Sequence, residues 1–236
     1  MDIPICLNTS KAIGPDMIPN RVLKVFAPEL APVIMDIYNR SLVEGYVLDL
    51  LKSSIVNPLP KSPLLKKLCK SNLRSITVTC TIAKVMEGFV RSRLITQIAD
   101  NTDPCQYGTA NGREGHSTAD VLIYHLQSIH EPTDTGECAA KIFFANLSKG
   151  FDLIAHNIFL KELLRFNVDP ALVNLIKALL TNRSQAVRTG NFLSDLRFLK
   201  CGIPQGTKLG VILFKVMTNN LLKDWNLPRN SCSLLL

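Results

Sequence analysis

The sequence predicts an α+β fold, built from helices and a sheet whose strands lie far apart along the chain. Helical spacing of apolar residues recurs, as at 84–98, and short extended runs such as 54–59 and 139–147 lie between helical segments. The chain has 236 residues, 47% apolar and 19% charged, which is enough for one substantial core or two small lobes. Because the strands are not consecutive, a lobe of sheet and helices is favoured over a barrel.

The first hundred residues are predicted to be mainly helical. A Gly-Pro-Asp turn at 14–16 precedes a helix that Pro28 interrupts. A second helix is expected to begin near Pro32 and to end at Gly45. The next predicted elements are a strand at 54–59 and an amphipathic helix at 84–98.

The remainder of the chain is predicted to contain further helices, a buried strand and a hairpin. Ser117, with Asp120 three residues later, resembles a capping box and predicts a helix that Pro132 ends. Asp169 followed by Pro170 predicts another helix start. The other predicted bounds are a strand at 139–147, a helix at 157–166, the end of the Asp169 helix near 180, hairpin strands at 185–189 and 196–200, and a helix after 206.

The charge balance favours a polyanionic partner. The chain has 27 Lys and Arg against 19 Asp and Glu, a net charge of +8, and many of the basic residues lie between 52 and 93. Such a stretch can track a nucleic-acid backbone, although a solvated basic surface without a partner explains the charge equally well. Motifs are therefore needed to decide between the two.

Cysteine usage and hydropathy predict an intracellular protein, nuclear or cytoplasmic, that has no membrane partner. The seven cysteines are scattered and form none of the close pairs of a zinc site or a disulfide framework. The amino terminus has no basic stretch followed by an apolar core. No apolar run approaches the ~20 residues of a membrane helix.

Four ordered segments carry the strongest functional signal. They are KAIGPDMIP at 11–19, NLRSI at 72–76, FANLSKGFD at 144–152 and GIPQGTKLG at 202–210. Together they resemble the reverse transcriptase (RNA-directed DNA polymerase) domain of non-LTR retrotransposons, and 202–210 is the nearest single match to a family motif. The resemblance extends over nearly the whole chain, so that 11–236 is assigned to this domain and 1–10 is left unassigned.

The resemblance implies a right-hand polymerase architecture with fingers and palm. The family's reaction is template-directed addition of deoxynucleotide triphosphates to a DNA primer on an RNA template, with Mg²⁺ as cofactor. The family's next motif, aromatic-x-Asp-Asp, does not occur before Leu236, so an incomplete palm sheet and no thumb are expected. The oligomeric state, the source element and the template specificity stay open.

Position 146 decides the expected activity. In the family an aspartate there ends a palm strand and binds both metal ions, whereas this sequence has Asn146. An amide brings no negative charge to offset divalent cations, so Asn146 is assigned as the position of the lost catalytic aspartate and as a degenerate metal ligand. The chain is therefore expected to be catalytically inactive. The alternatives are a non-catalytic nucleic-acid-binding remnant and a functionless retroelement relic.

The resemblance also implies a set of nucleotide-binding residues. Arg74 matches an arginine near the incoming triphosphate, where a fork of donors suits phosphate. The backbone amides of Lys149 and Gly150 are expected beside the triphosphate. Phe151 is expected to pack under the sugar and exclude a 2′-hydroxyl; alternatively, it is a core aromatic that anchors the turn. The residues expected beside the templating base pair are Gln205 and Gly206.

Overall fold

In the computed structural model the described residues form a mixed α+β fold, which confirms the predicted class. These residues are 7–62, 69, 72–103, 106–107, 118–134, 136, 149–203, 206–221 and 234–235. The helices are α1 (Asn20–Val25), α2 (Ala27–Glu44), α3 (Asp49–Lys52), α4 (Thr81–Ile98), α5 (Thr118–Thr133), α6 (His156–Arg165), α7 (Pro170–Leu180) and α8 (Lys208–Thr218). The strands are β1 (Ser53–Pro60), β2 (Leu73–Thr79), β3 (Gln106–Tyr107), β4 (Ser184–Thr189), β5 (Phe192–Leu193), β6 (Arg197–Phe198) and β7 (Leu234–Leu235).

One mixed sheet organises the fold around β1. This strand pairs antiparallel with β2 and parallel with β4, and both β5 and β6 pair with the other edge of β4. Val56 of β1 therefore lies between Thr77 of β2 and Val187 of β4. A side-chain contact strengthens the parallel pair, because the Ser54 hydroxyl donates to the carbonyl oxygen of Ser184 at 3.2 Å. Strands β3 and β7 form a separate parallel pair.

The main hydrophobic core lies among helices α4, α6, α7 and α8. Helix α4 contacts α8 and α7, and α6 contacts both α7 and α8. Side chains with no exposed surface are Val90, Leu94, Phe159, Leu163, Leu175, Ile176 and Ile212. Burying each of them contributes about 1.5–3 kcal/mol relative to leaving it in water. This core supports the start of α6 and thereby the turn that precedes it.

Most of the predicted elements within the described residues are confirmed. Strand β1, helices α4, α6 and α7, and the hairpin of β4 to β6 lie within three residues of their predicted bounds. Helix α7 begins as predicted, with the Asp169 carboxylate accepting a hydrogen bond from the Ala171 amide at 2.9 Å. Gly45 ends α2 in the left-handed conformation, at φ 61°. Ser117 and the predicted strand at 139–147 lie outside the described residues.

The predicted start of the second helix near Pro32 was wrong. Helix α2 begins at Ala27, has Pro28 in its first turn and continues through Pro32. Proline is tolerated in a first turn because the amide it replaces has no acceptor within the helix. The break between α1 and α2 falls at Phe26 instead, whose φ of −97° and ψ of 21° depart from helical values.

A buried arginine joins the end of α7 to the sheet. Arg183 is 2% exposed, and its Nη1 donates to the carbonyl oxygen of Leu179 at 3.1 Å. Burial lowers the pKa of Arg183 below its ordinary value, and the negative charge of Glu87 opposes that shift. Glu87 is itself buried in α4. Its attraction for Arg183 therefore links α4 to the residue that precedes β4.

The described cysteines and helices add two further facts. Cys69, Cys80 and Cys201 are free thiols, and burial raises the pKa of Cys80. Among the described helices, none combines the length and the apolar content that crossing a bilayer would require.

Candidate active site

The candidate site is built on a tight turn at residues 149–153. Lys149 adopts a left-handed backbone conformation, at φ 56°. Its carbonyl oxygen accepts hydrogen bonds from the amides of Asp152, at 3.0 Å, and Leu153, at 3.2 Å. The turn lies just before α6, and Gly150 and Phe151 lie between its hydrogen-bonded residues.

Residues 201–203 of a second segment lie against this turn; with the described residues 200, 206 and 207 they belong to what we call the loop at 200–207. The amide of Ile203 donates to the carbonyl oxygen of Phe151, and the amide of Gly202 donates to that of Ile154, both at 2.8 Å. The Cys201 thiol lies 3.5 Å from the carbonyl oxygen of Asp152. The fold thus brings together the described parts of two motifs that are about fifty residues apart in the sequence.

Gly202 makes this close approach possible. Its φ is 87°, and a Cβ placed on it would lie 2.7 Å from the backbone oxygen of Asp152. Real Cβ atoms do not approach a backbone atom so closely, and a positive φ is itself unfavourable for other residues. The glycine is therefore required by the contact between the turn and the loop.

His156, the first residue of α6, adds a side-chain bond to the same junction. Its Nε2 lies 2.8 Å from the carbonyl oxygen of Gly202, and because a carbonyl only accepts, the ring nitrogen must donate. The ring is half-buried, so this bond is partly protected from water.

We expect His156→Ala to lower the free energy of unfolding by about 1–2 kcal/mol, because the carbonyl oxygen of the buried Gly202 loses its side-chain donor. Urea denaturation followed by circular dichroism measures this loss. His130→Ala is the matched control, since the His130 side chain is 69% exposed near the end of α5. Equal stability losses in the two variants would show that the bond to Gly202 contributes nothing.

Phe151 packs inward from the turn. Its ring stacks on Phe214 of α8, with centroids 4.4 Å apart and planes inclined by 18°. Both rings are half-buried and contact the main core. This geometry agrees with the core-anchor alternative, and it fixes where the ring lies relative to the loop. The role of Phe151 under a sugar stays a prediction.

The loop leads into α8 beside strand β2. Gly206 has a φ of 87°, and a Cβ placed on it would lie 3.7 Å from the Thr77 carbonyl oxygen. The Thr207 hydroxyl then caps α8 by accepting from the Gly210 amide at 3.1 Å. Strand β2 thus borders the loop. It also carries Arg74, which is exposed and lies opposite Leu59 of β1.

Of the predicted site residues, the structure describes Arg74, Lys149, Gly150, Phe151 and Gly206. It places the last four at the junction of the turn with the loop, and Arg74 on the strand that borders that loop. Asn146 and Gln205 lie outside the described residues. Within the described part of the chain, no three His, Cys, Asp or Glu side chains lie close enough together to hold a metal ion.

Sequence reasoning missed two residues of this junction. His156 stands alone in the sequence, and nothing in its spacing predicts a bond to a glycine carbonyl 46 residues later. Phe214 was not singled out, although it falls within the helix predicted after 206, and its pairing with Phe151 depends on how α8 docks. Of the two, only Phe214 has a sequence signal, because it lies in a helix whose motif was already singled out.

Comparison with known proteins gives one consistent result. The family model described as reverse transcriptase (RNA-dependent DNA polymerase) matches residues 59–234. The chain is similar to the RNA-directed DNA polymerase from mobile element jockey of Drosophila funebris, at 24% identity over 221 residues, and to that of Drosophila melanogaster, at 24% over 220. It is also 25% identical over 216 residues to the probable RNA-directed DNA polymerase from transposon X-element of Drosophila melanogaster.

The similarities cover most of this chain but only a small part of each relative. Each covers 91% of this chain but only 23% of the relative. The chain therefore spans about a quarter of the length of the curated relatives it matches.

Proposed function

Because the chain belongs to the reverse transcriptase (RNA-dependent DNA polymerase) family, we propose that residues 11–236 form fingers and palm of a non-LTR retrotransposon polymerase. The parent reaction is the addition of deoxynucleotides to a DNA primer on an RNA template. The observation that carries this proposal is the junction between the turn at 149–153 and the loop at 200–207. A polymerase site of this kind needs those two segments side by side.

Each site residue then has a role in substrate binding. The turn residues Lys149 and Gly150 would direct backbone amides toward the triphosphate, where N–H groups suit a phosphate anion. Arg74 would approach the same phosphates from β2 as a charged fork of donors. Gly206 and Gln205 would lie beside the templating base pair, and Gly206 leaves room there because it has no side chain.

The residues present do not fit the family's divalent metal well. Magnesium is held in such sites by carboxylate and phosphate oxygens, and position 146 supplies an amide instead. From the sequence, Asp152 was interpreted as the cap of the helix that follows and not as a replacement for the missing metal ligand. That helix has Ala155 at its N-cap, without a side-chain cap bond, so the cap role was wrong. We therefore propose that this chain binds the metal poorly and does not catalyse extension.

We expect no extended product when the purified chain is given an RNA template, a labelled DNA primer, deoxynucleotides and Mg²⁺, because position 146 lacks its carboxylate. Denaturing gel electrophoresis measures extension, with an active reverse transcriptase as the positive control. Clear incorporation of deoxynucleotides by this chain would overturn the assigned role of Asn146.

The same site is tested without activity by Asn146→Asp. Loss of groups that merely orient metal ligands costs about 10–100-fold in affinity, so a restored ligand charge should tighten Mn²⁺ binding by ~10-fold or more. Titration followed by electron paramagnetic resonance measures the free Mn²⁺. Asn191→Asp, in the exposed hairpin turn, adds the same charge elsewhere and controls for charge alone. Equal gains in both variants would show that the metal position is misplaced.

A second candidate function is favoured by the sheet. Its strands include exposed arginines and no acidic residue, which suits a protein that holds nucleic acid without copying it. Salt-dependent binding of nucleic acid without incorporation distinguishes this function from catalysis. A functionless relic would bind nothing, and cooperative unfolding of the chain would count against it.

A further inference from the structure

The loop at 200–207 is held at its start by the backbone of Arg183. The amide of Leu199, the residue before the loop, donates to the carbonyl oxygen of Arg183 at 2.8 Å. The pairing of β6 with β4 continues this contact. The next backbone bonds along the loop are those that join Gly202 and Ile203 to the turn. The position of Arg183 therefore determines where the loop begins.

The side chain of Arg183 fixes the short connection between α7 and β4. Thr181, Asn182 and Arg183 form this connection, and Asn182 adopts a left-handed conformation, at φ 55°. Arg183 folds back so that its Nη1 donates to the carbonyl oxygen of Leu179, in the last turn of α7. The last four carbonyl groups of a helix lack partners within it, and their partial negative charge favours a cation. The guanidinium therefore ties the connection to the end of α7.

A buried guanidinium also needs a negative charge close to it. Arg183 is 2% exposed, and no described residue makes a hydrogen bond to its Nε or Nη2. A cation placed in this way is strongly destabilising unless a counter-charge lies nearby. Burial lowers the pKa of Arg183, and the negative charge of Glu87, which is equally buried in α4, opposes that shift. Glu87 is therefore assigned as the counter-charge.

We propose that Arg183 is a positioning residue, which transmits the placement of α7 and α4 to the start of the loop and through the loop to Gly206. Helix α4 also contacts α8, which begins directly after the loop, so both ends of the loop depend on the same helix. The guanidinium is buried and does not itself reach a substrate. This inference rests on the proposed function, in which Gly206 lies beside the templating base pair.

Three variants separate positioning of the loop from global stability. Arg183→Met removes the guanidinium, and Glu87→Met removes the carboxylate. Either change should lower the thermal unfolding midpoint by about 6–20 °C, the loss expected when one partner of a buried ion pair is removed. The double variant removes both charges. Its midpoint should return to within about 3 °C of the wild type, because apolar residues of similar volume often replace a buried ion pair without loss of stability.

The decisive measurement is amide hydrogen exchange in the double variant, followed by nuclear magnetic resonance. The amides of Leu199, Gly202 and Ile203 report on the loop, and those of Leu175 and Ile176 in α7 report on global unfolding. The ratio of the loop rates to the α7 rates should rise about tenfold or more over the wild type, the loss expected for one hydrogen bond from a charged donor. A change in global stability alone would not raise this ratio.

Arg188→Met is the matched control, since it makes the same substitution at an exposed arginine of β4. It should change neither the unfolding midpoint nor the ratio of exchange rates. The proposal is overturned if that ratio in the double variant equals the wild-type ratio, or if the double variant is as unstable as the single variants. None of these measurements uses a primer, a template or nucleotides. A failed exchange experiment therefore leaves the proposed polymerase function standing, and absence of polymerase function leaves the exchange result unchanged.

Discussion

Replacing Gly202 with alanine is expected to lower the free energy of unfolding by about 3 kcal/mol or more. Two costs add at this position. The backbone φ of 87° is unfavourable for alanine, and the new Cβ would lie 2.7 Å from the carbonyl oxygen of Asp152. That oxygen belongs to the backbone of a hydrogen-bonded turn and cannot rotate away as a flexible side chain would. Relief requires separation of the turn from the loop, which also breaks the bonds to Phe151 and Ile154.

Gly190→Ala separates the two costs. Gly190 also has a positive φ, of 60°, but no atom lies within 4 Å of a Cβ placed there. Its replacement should therefore cost only about 1–2 kcal/mol, the strain of the left-handed conformation. Urea unfolding by circular dichroism compares the two variants. If both lose the same stability, the contact of Gly202 with Asp152 is not a close one.

Phe159→Ala is expected to cost about 3–5 kcal/mol of unfolding free energy. The side chain has no exposed surface and lies in α6, the helix that follows the turn and contacts α7 and α8. Truncation removes its buried area and leaves a cavity that three packed helices cannot close completely. Because α6 also carries His156, loosening of this helix should weaken the junction with Gly202.

The neighbouring Ile158 provides the control for Phe159. It lies one residue earlier in the same helix and is 50% exposed, so Ile158→Ala should cost well under 1.5 kcal/mol. Both variants keep a good helix former at the substituted position, which removes helix propensity as an explanation. The difference is measured from the denaturant midpoints of the two variants, provided that their unfolding free energies depend equally steeply on denaturant concentration. Similar losses at 158 and 159 would contradict the burial of Phe159.

Helices could be predicted from the sequence where residues close to their ends determine their bounds. Asp169 and Pro170 mark the start of α7 through a hydrogen bond and a fixed φ, and both act within one turn. Helix α2 was misplaced for a local reason as well. Pro28 was interpreted as a breaker and Pro32 as the helix start, although Pro28 lies in the first turn of α2, where a proline breaks no hydrogen bond.

Strand β2 could not be bounded in the same way. Residues 72–76, which overlap its start, were interpreted only as a family motif with an arginine near a phosphate, although Ile76, Thr77 and Val78 have strand propensity. The strand exists because it pairs with β1, and that pairing depends on register with a partner elsewhere in the chain. The pattern of residues within one strand contains little information about which distant strand it pairs with.

In the candidate site, too, the sequence shows the motifs but not the contacts between distant residues. The motifs at 144–152 and 202–210 predicted that two distant segments would meet, and their described parts form the junction of the turn with the loop. The contacts that maintain the junction, from His156 to Gly202 and from Phe151 to Phe214, depend on how α6 and α8 dock. Helix docking is decided by the assembled core and not by adjacent residues.

The central position of β1 bears on the order of folding. Its parallel neighbour β4 pairs Ser53 with Ser184, residues whose separation in sequence is 131. Pairings this distant form late, because a long loop must close before any contact compensates for the lost entropy. During synthesis β1 and β2 can pair early, but one edge of β1 stays unprotected until β4 has left the ribosome. A nascent chain is therefore expected to be most prone to aggregation, and most dependent on chaperones, during that interval.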